Sequence, residues 1–149
     1  IQNEFYPNNY ITMHHDATYD ARDRRFKIMN YDLYLKDNKR WQLDIGQRYT
    51  YNDDNLLTTQ LTYKFNPKWR AVVYDRLNID TGVWQEQQYS LVRDLHSWEV
   101  EISYNDRKGY EDSGTTVWVI FRLKAFPSVA IDGKSSYNER KVGPGGYQN

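Results

Sequence analysis

Three stretches of this 149-residue chain hold side chains that could do chemistry. His14, His15 and Asp16 stand in a row, and imidazole and carboxylate are common ligands of a divalent cation. Glu99 and Glu101 lie two apart, and a carboxylate pair is what acid–base glycoside hydrolysis uses. Arg22, Arg24 and Arg25 crowd a short polar segment after Asp20. The first two meet a simpler reading once the local backbone is considered. Adjacent strand residues point to opposite faces, so His14 and His15 are parted. His14 and Asp16 alone supply two ligands where a site needs more. Glu99 and Glu101 would stand about 6–7 Å apart on one strand face, within reach of inverting chemistry. However, Arg122 and Lys124 follow in the same phase. Antiparallel pairing across 105–114 sets Glu101 against Arg122 and Glu99 against Lys124, a neutral charge ladder. The arginines read as a solvated hairpin tip or as a contact for anionic lipid or lipopolysaccharide phosphates, to which guanidinium is suited.

The chain has no Gly-rich phosphate loop, nucleophile elbow or His-Glu-x-x-His pattern, and it has 0 Cys. No enzyme, metal or cofactor is expected. The formal net charge is +0, from 20 basic and 20 acidic residues, so no nucleic-acid partner is expected either.

The elements that would carry these residues are strands. Apolar and polar residues alternate with period 2 over eight segments: Tyr10 to Ala21, Arg25 to Lys36, Arg40 to Tyr51, Asn55 to Phe65, Lys68 to Ile79, Val83 to Leu95, Trp98 to Asn105 and Thr115 to Phe126. In the third, Trp41, Leu43, Ile45, Tyr49 and Tyr51 oppose Gln42, Asp44, Gly46 and Arg48. In the eighth, Val117, Val119, Phe121 and Leu123 oppose Trp118, Ile120, Arg122 and Lys124. Asp75 interrupts the apolar face of the fifth. Asp37-Asn38-Lys39, Asn52-Asp53-Asp54, Asn66-Pro67 and Asp80-Thr81-Gly82 are turn chemistry, and no connection is long enough for a parallel crossover.

An all-β, antiparallel up-and-down meander of about eight strands follows, over 1–126. A flexible polar tail is expected over 127–149. Strand would take up roughly 60% of the chain, high for an ordinary globular domain. Strands of about 11 residues, tilted about 40°, rise about 27 Å, which matches the apolar belt of a transmembrane barrel. Mean hydropathy is -0.94, yet 14 Tyr and 5 Trp make the chain aromatic-rich. A wall with a greasy outside and a wet inside has that composition. Trp41, Trp69, Trp84 and Trp98 near strand starts would then form interface girdles. The chain begins at Ile1, and it reads as a processed product or as part of something longer.

The segment from Tyr89 through Arg93-Asp94-Leu95-His96-Ser97-Trp98 to Ile102, followed by Val119-Ile120-Phe121-Arg122-Leu123-Lys124-Ala125-Phe126-Pro127, resembles the C-terminal end of the LptD, or organic-solvent-tolerance, family. These are lipopolysaccharide-assembly barrels of the bacterial outer membrane. The resemblance is clearest over 83–127. Many members carry Cys before the Trp, where this chain has His96-Ser97, so no such disulfide forms here. The resemblance implies a barrel whose last strand sits at a seam that opens sideways to release lipopolysaccharide. Val117, Val119, Phe121, Leu123 and Phe126 would form that gate. It also implies a plug lipoprotein and a periplasmic bridge protein as partners. It places the turns at 21–24, 52–54, 80–82 and 105–114 outside the cell. A small complete eight-stranded outer-membrane protein and a soluble, lipocalin-type lipid-binding barrel are the competing readings.

Overall fold

The computed structural model describes residues 2–37, 39–109 and 113–125. Nine strands form one sheet in sequence order, each antiparallel to its neighbours. They are β1 (Gln2–Asn8), β2 (Ile11–Asp20), β3 (Arg25–Lys36), β4 (Trp41–Thr50), β5 (Asn55–Asn66), β6 (Trp69–Asn78), β7 (Val83–Asp94), β8 (Trp98–Arg107) and β9 (Gly114–Leu123). Strands β2–β9 are the eight expected segments, with ends shifted by a few residues. The additional strand, β1, has too little alternation to announce itself. It carries Pro7, and its pairing with β2 slips between Phe5 and Asn8. An edge strand tolerates both, because its outer backbone groups serve no neighbour. The sheet is not closed: β1 and β9 are each paired on one side only. Phe126 and the expected tail over 127–149 lie outside the described residues.

Side-chain oxygens fasten the turns by accepting backbone N–H groups. The Asp37 carboxylate takes those of Lys39, Arg40 and Trp41. Asn66 takes those of Lys68 and Trp69, and Asp20 those of Arg22 and Asp23. Gly82 turns with φ 68°, a left-handed conformation that glycine adopts without steric cost. The connection after Lys36 at Asp37 and the turns at 67–68 and 95–97 lie at one end of the sheet, here the Asp37 end. The turns at 21–24, 51–54 and 79–82, with Arg107 at the end of β8 and Gly114 at the start of β9, lie at the other, the Gly82 end.

The two faces differ in chemistry and in burial. On one, Asp32, Asp44, Thr58, Glu86, Gln88, Ser90, Ser103 and Asn105 are buried beside Val72, Tyr74, Val92 and Ile120. Glu101 and Ser103 are 0 % exposed there, whereas Ile102 and Val117 on the opposite face are 52% and 64% exposed. With only one layer present, such burial requires the sheet to curl toward its polar side. The inner, concave face is therefore the charged one, and the greasy face is convex.

The cross-strand register gives that greasy face a slope. One row, Ile11–Leu35–Leu43–Leu61–Val73–Tyr89–Tyr104–Val117, is apolar or aromatic from β2 to β9. In β8 and β9 it is the limit of the apolar run toward the Gly82 end, since Asp106 and Thr115 come next. In β2 and β3 it is the limit toward the Asp37 end, and the run continues the other way through Leu33, Tyr31, Met29 and Phe26. Between β9 and β3 the centre of the run climbs about seven residues, or about 24 Å, across six strand spacings of about 29 Å. A level belt drawn on this surface would leave the strands tilted about 40° from the belt's normal.

Candidate functional site

The inner face of β6–β9 carries a continuous polar chain. Strand alternation puts Glu86, Gln88, Ser90 and Val92 of β7 on this face, opposite Arg107, Asn105, Ser103 and Glu101 of β8. Arg122 of β9 donates from Nη1 to Glu99 Oε1 at 2.9 Å and from Nη2 to Glu101 Oε2 at 2.6 Å. Arg70 of β6 reaches across β7 to Glu99 Oε2 at 2.8 Å. Ser103 Oγ donates to Glu101 Oε1 at 2.7 Å and lies 2.6 Å from Ser90 Oγ. Gln88 bonds Ser90, and Asn105 bonds both Gln88 and Glu86. Arg107 closes the series on Glu86 at 3.0 Å.

All four carboxylate oxygens of Glu99 and Glu101 thus have a hydrogen-bond donor or a guanidinium ion-pair partner. Glu101 lies between Val92 and Ile120 in its row. A charge buried this far is tolerable only when its partners are in place. The arrangement holds the two carboxylates to guanidinium groups.

The expected ladder is present with its register moved by two residues. Glu99, not Glu101, stands directly opposite Arg122, and Glu101 stands opposite Ile120. Lys124 pairs with Asp94 of β7 rather than with Glu99. Because β8 runs on to Arg107 and β9 begins at Gly114, the hairpin closes two residues away from the expected pairing. A two-residue shift keeps every side chain on its face, so Arg122 still reaches Glu101 along the diagonal. Arg70, Ser90, Ser103 and Gln88 were not singled out in the sequence. Their common phase was visible, but their partners depend on register.

Toward the N-terminus the inner face is assembled differently. Asn30 bonds Asp16 at 2.9 Å, Arg48 pairs with Asp32, and Gln42 bonds both oxygens of Asp44. His14 lies on this face, edge-on to Tyr34 at 5.5 Å. His15 lies on the convex face, stacked on Tyr31 at 4.5 Å. The two imidazoles are parted as expected, and no group of three His, Cys, Asp or Glu among the described residues is arranged to hold a metal.

Arg22, Arg24 and Arg25 are all exposed at the Gly82 end. Arg24 takes a left-handed φ of 51° in the turn, and Arg25 lies 4.5 Å over the Tyr51 ring. Val117, Val119, Phe121 and Leu123 line the convex face of β9, the open edge. Trp41, Trp69 and Trp98 start β4, β6 and β8 at the Asp37 end, while Trp84 is the second residue of β7 at the other. Arg93 lies 5.0 Å over the Trp69 ring on the convex face. No protein-family model matches the chain, and no curated protein matches it.

Proposed function

We propose that this chain is a section of the wall of a bacterial outer-membrane β-barrel, serving lipopolysaccharide transport as its resemblance to LptD proteins implies. The slope of the apolar belt carries the membrane reading. Strands that stand about 40° from the normal of a level belt match strands tilted about 35–45° through a lipid layer. The burial of charge on the concave side agrees, since a lumen is polar and wet. A lipocalin-type barrel would turn its apolar rows inward around a ligand. Strands β1 and β9 run in the same direction, so antiparallel closure calls for an odd number of further strands.

In this reading the Asp37 end faces the periplasm, with Trp41, Trp69 and Trp98 as its girdle. The arginine tip at 22–25 meets lipopolysaccharide phosphates outside the cell. Strand β9 lies at the seam, and a plug lipoprotein and a periplasmic bridge protein are the partners the family would supply. The support for lipopolysaccharide is the likeness of residues 83–127 together with the unpaired edge of β9.

Two measurements test the reading in turn. The folded chain should require detergent and show heat-modifiable gel mobility; a chain that stays folded and soluble in plain buffer overturns the membrane reading. A photo-crosslinking side chain at Val119 or Phe121 in cells should label lipopolysaccharide more strongly than one at Ile45 in mid-wall. Equal labelling removes the seam role and leaves the wall.

A further inference from the structure

We infer that the inner face at the Asp37 end carries an anion site, formed by Lys36, Lys39, Arg40 and Lys64, that takes a phosphate group. The polar chain of β6–β9 uses its carboxylates locally. Glu99 serves Arg70 and Arg122, and Asp94 serves Lys124. Across the sheet the balance fails. Lys64 of β5 stands opposite Arg70 of β6 and, on its other side, opposite Arg40, whose carbonyl accepts the Lys64 N–H at 2.7 Å. Three cations therefore occupy one cross-strand row. Like charges directly opposite each other on a sheet are destabilising, and only Arg70 has a carboxylate in contact.

Lys36 lies one step along the same face, opposite Gln42. Lys36, Lys39, Arg40 and Lys64 are exposed and make no ion pair among the described residues. They surround a cavity of about 290 Å³ that is also lined by Trp41 and Thr62. The single carboxylate at its rim, Asp37, accepts the backbone N–H groups of Lys39, Arg40 and Trp41. Gln42 is turned onto Asp44. Four cations with one carboxylate, in a cup wide enough for a tetrahedral anion, match a phosphate. Guanidinium supplies the planar fork and the ammonium groups supply point charge. The phosphate could belong to a phosphorylated lipid headgroup or be free in solution.

The test uses the full chain folded in micelles of a neutral detergent at low salt. Inorganic phosphate and dihexanoyl phosphatidic acid are titrated by calorimetry. Saturable binding is expected, weakened at least tenfold by Arg40→Gln with Lys64→Gln and unchanged by Lys27→Gln at the other end. Tenfold tighter binding of the phosphatidic acid identifies a lipid headgroup site, and equal binding identifies a site for free phosphate. Removing like charges should leave the fold intact, which heat-modifiable mobility checks. A second measurement needs no variant: phosphate should slow acetylation of Lys36, Lys39 and Lys64, read by mass spectrometry, but not that of Lys27. The inference is overturned if neither probe saturates, if the double variant binds as the parent does, or if acetylation is unprotected. None of these outcomes depends on lipopolysaccharide crosslinking at β9, so the two proposals fail separately.

Discussion

Strands β6–β9 and strands β1–β4 share the same alternation but join their polar side chains in different ways. In β6–β9 the inner face is one hydrogen-bonded series from Arg70 to Arg107, with Glu101 and Ser103 wholly covered. In β1–β4 the same face holds separate pairs, Asp16 with Asn30 and Asp32 with Arg48, set among the rings of His14 and Tyr34. The outer faces differ too. Val117, Val119 and Phe121 are aliphatic or purely apolar, whereas Tyr19, Tyr31 and His15 bring polar atoms to the surface. The lesson concerns rigidity. A connected series transmits the loss of one member to the others, while isolated pairs fail one at a time. An edge strand that has to stay in register without a second neighbour, as β9 does, gains most from the connected kind.

The largest expected effect breaks that series at its centre. Arg122→Ala leaves Glu101 buried without its cation, and should destabilise the folded chain by about 3–5 kcal/mol, measured by urea unfolding in micelles. If Arg122→Ala costs no more than a surface substitution, the connected series carries no stability.

Next comes a charge scan of the convex face, which tests the slope directly. Arg placed at the middle of the belt should cost about 2–4 kcal/mol, falling to about 0–1 at its edges. The peak is expected at Val100 and Ile102 in β8 but at Tyr31 in β3, with Ile11 and Leu35 near the minimum. A peak that stays in one cross-strand row would remove the tilt.

Coupling separates the two halves more finely. In a double-mutant cycle, Glu101→Gln with Arg122→Gln should show an interaction of about 0.5–3 kcal/mol. Asp16→Asn with Asp44→Asn, which share no bond and lie two strands apart, should add independently. Additivity in the first cycle would place both halves in the same class.

The smallest effect is at a turn outside the belt. The backbone N–H groups of Arg40 and Trp41, with that of Lys39, hold the Asp37 carboxyl below the usual carboxylate range. A lowered folded value means that its contribution is present above the unfolded value of about 3.9. It is lost as pH falls through the folded value. Asp37→Asn should therefore flatten the acid limb of the stability profile and change little near neutrality. An unchanged acid limb would show that the turn is held by strand pairing alone.

Much of the sheet was legible in the chain. Alternation is a local property of extended backbone, so the faces of β2–β9 and the polar turns between them could be read residue by residue. The separation of His14 from His15 follows from the same rule. Strand β1 was not legible, because Pro7 and a slipped pairing erase its periodicity and only the neighbouring β2 sustains it. The ladder partners were misread by two residues for a related reason. Period 2 restricts Glu99 and Glu101 to one face, but it does not say where on the facing strand each will land.

What the sequence determined by itself is which side chains share a face and where the chain reverses, since each depends on residues a few positions apart. Only the tertiary structure decided that the charged face is the concave one and that Arg122 bridges Glu99 and Glu101. It alone set the greasy belt at a slant to the strands. Curvature, register and tilt arise from contacts between strands that are far apart along the chain or two strands away, and no local pattern encodes those distances.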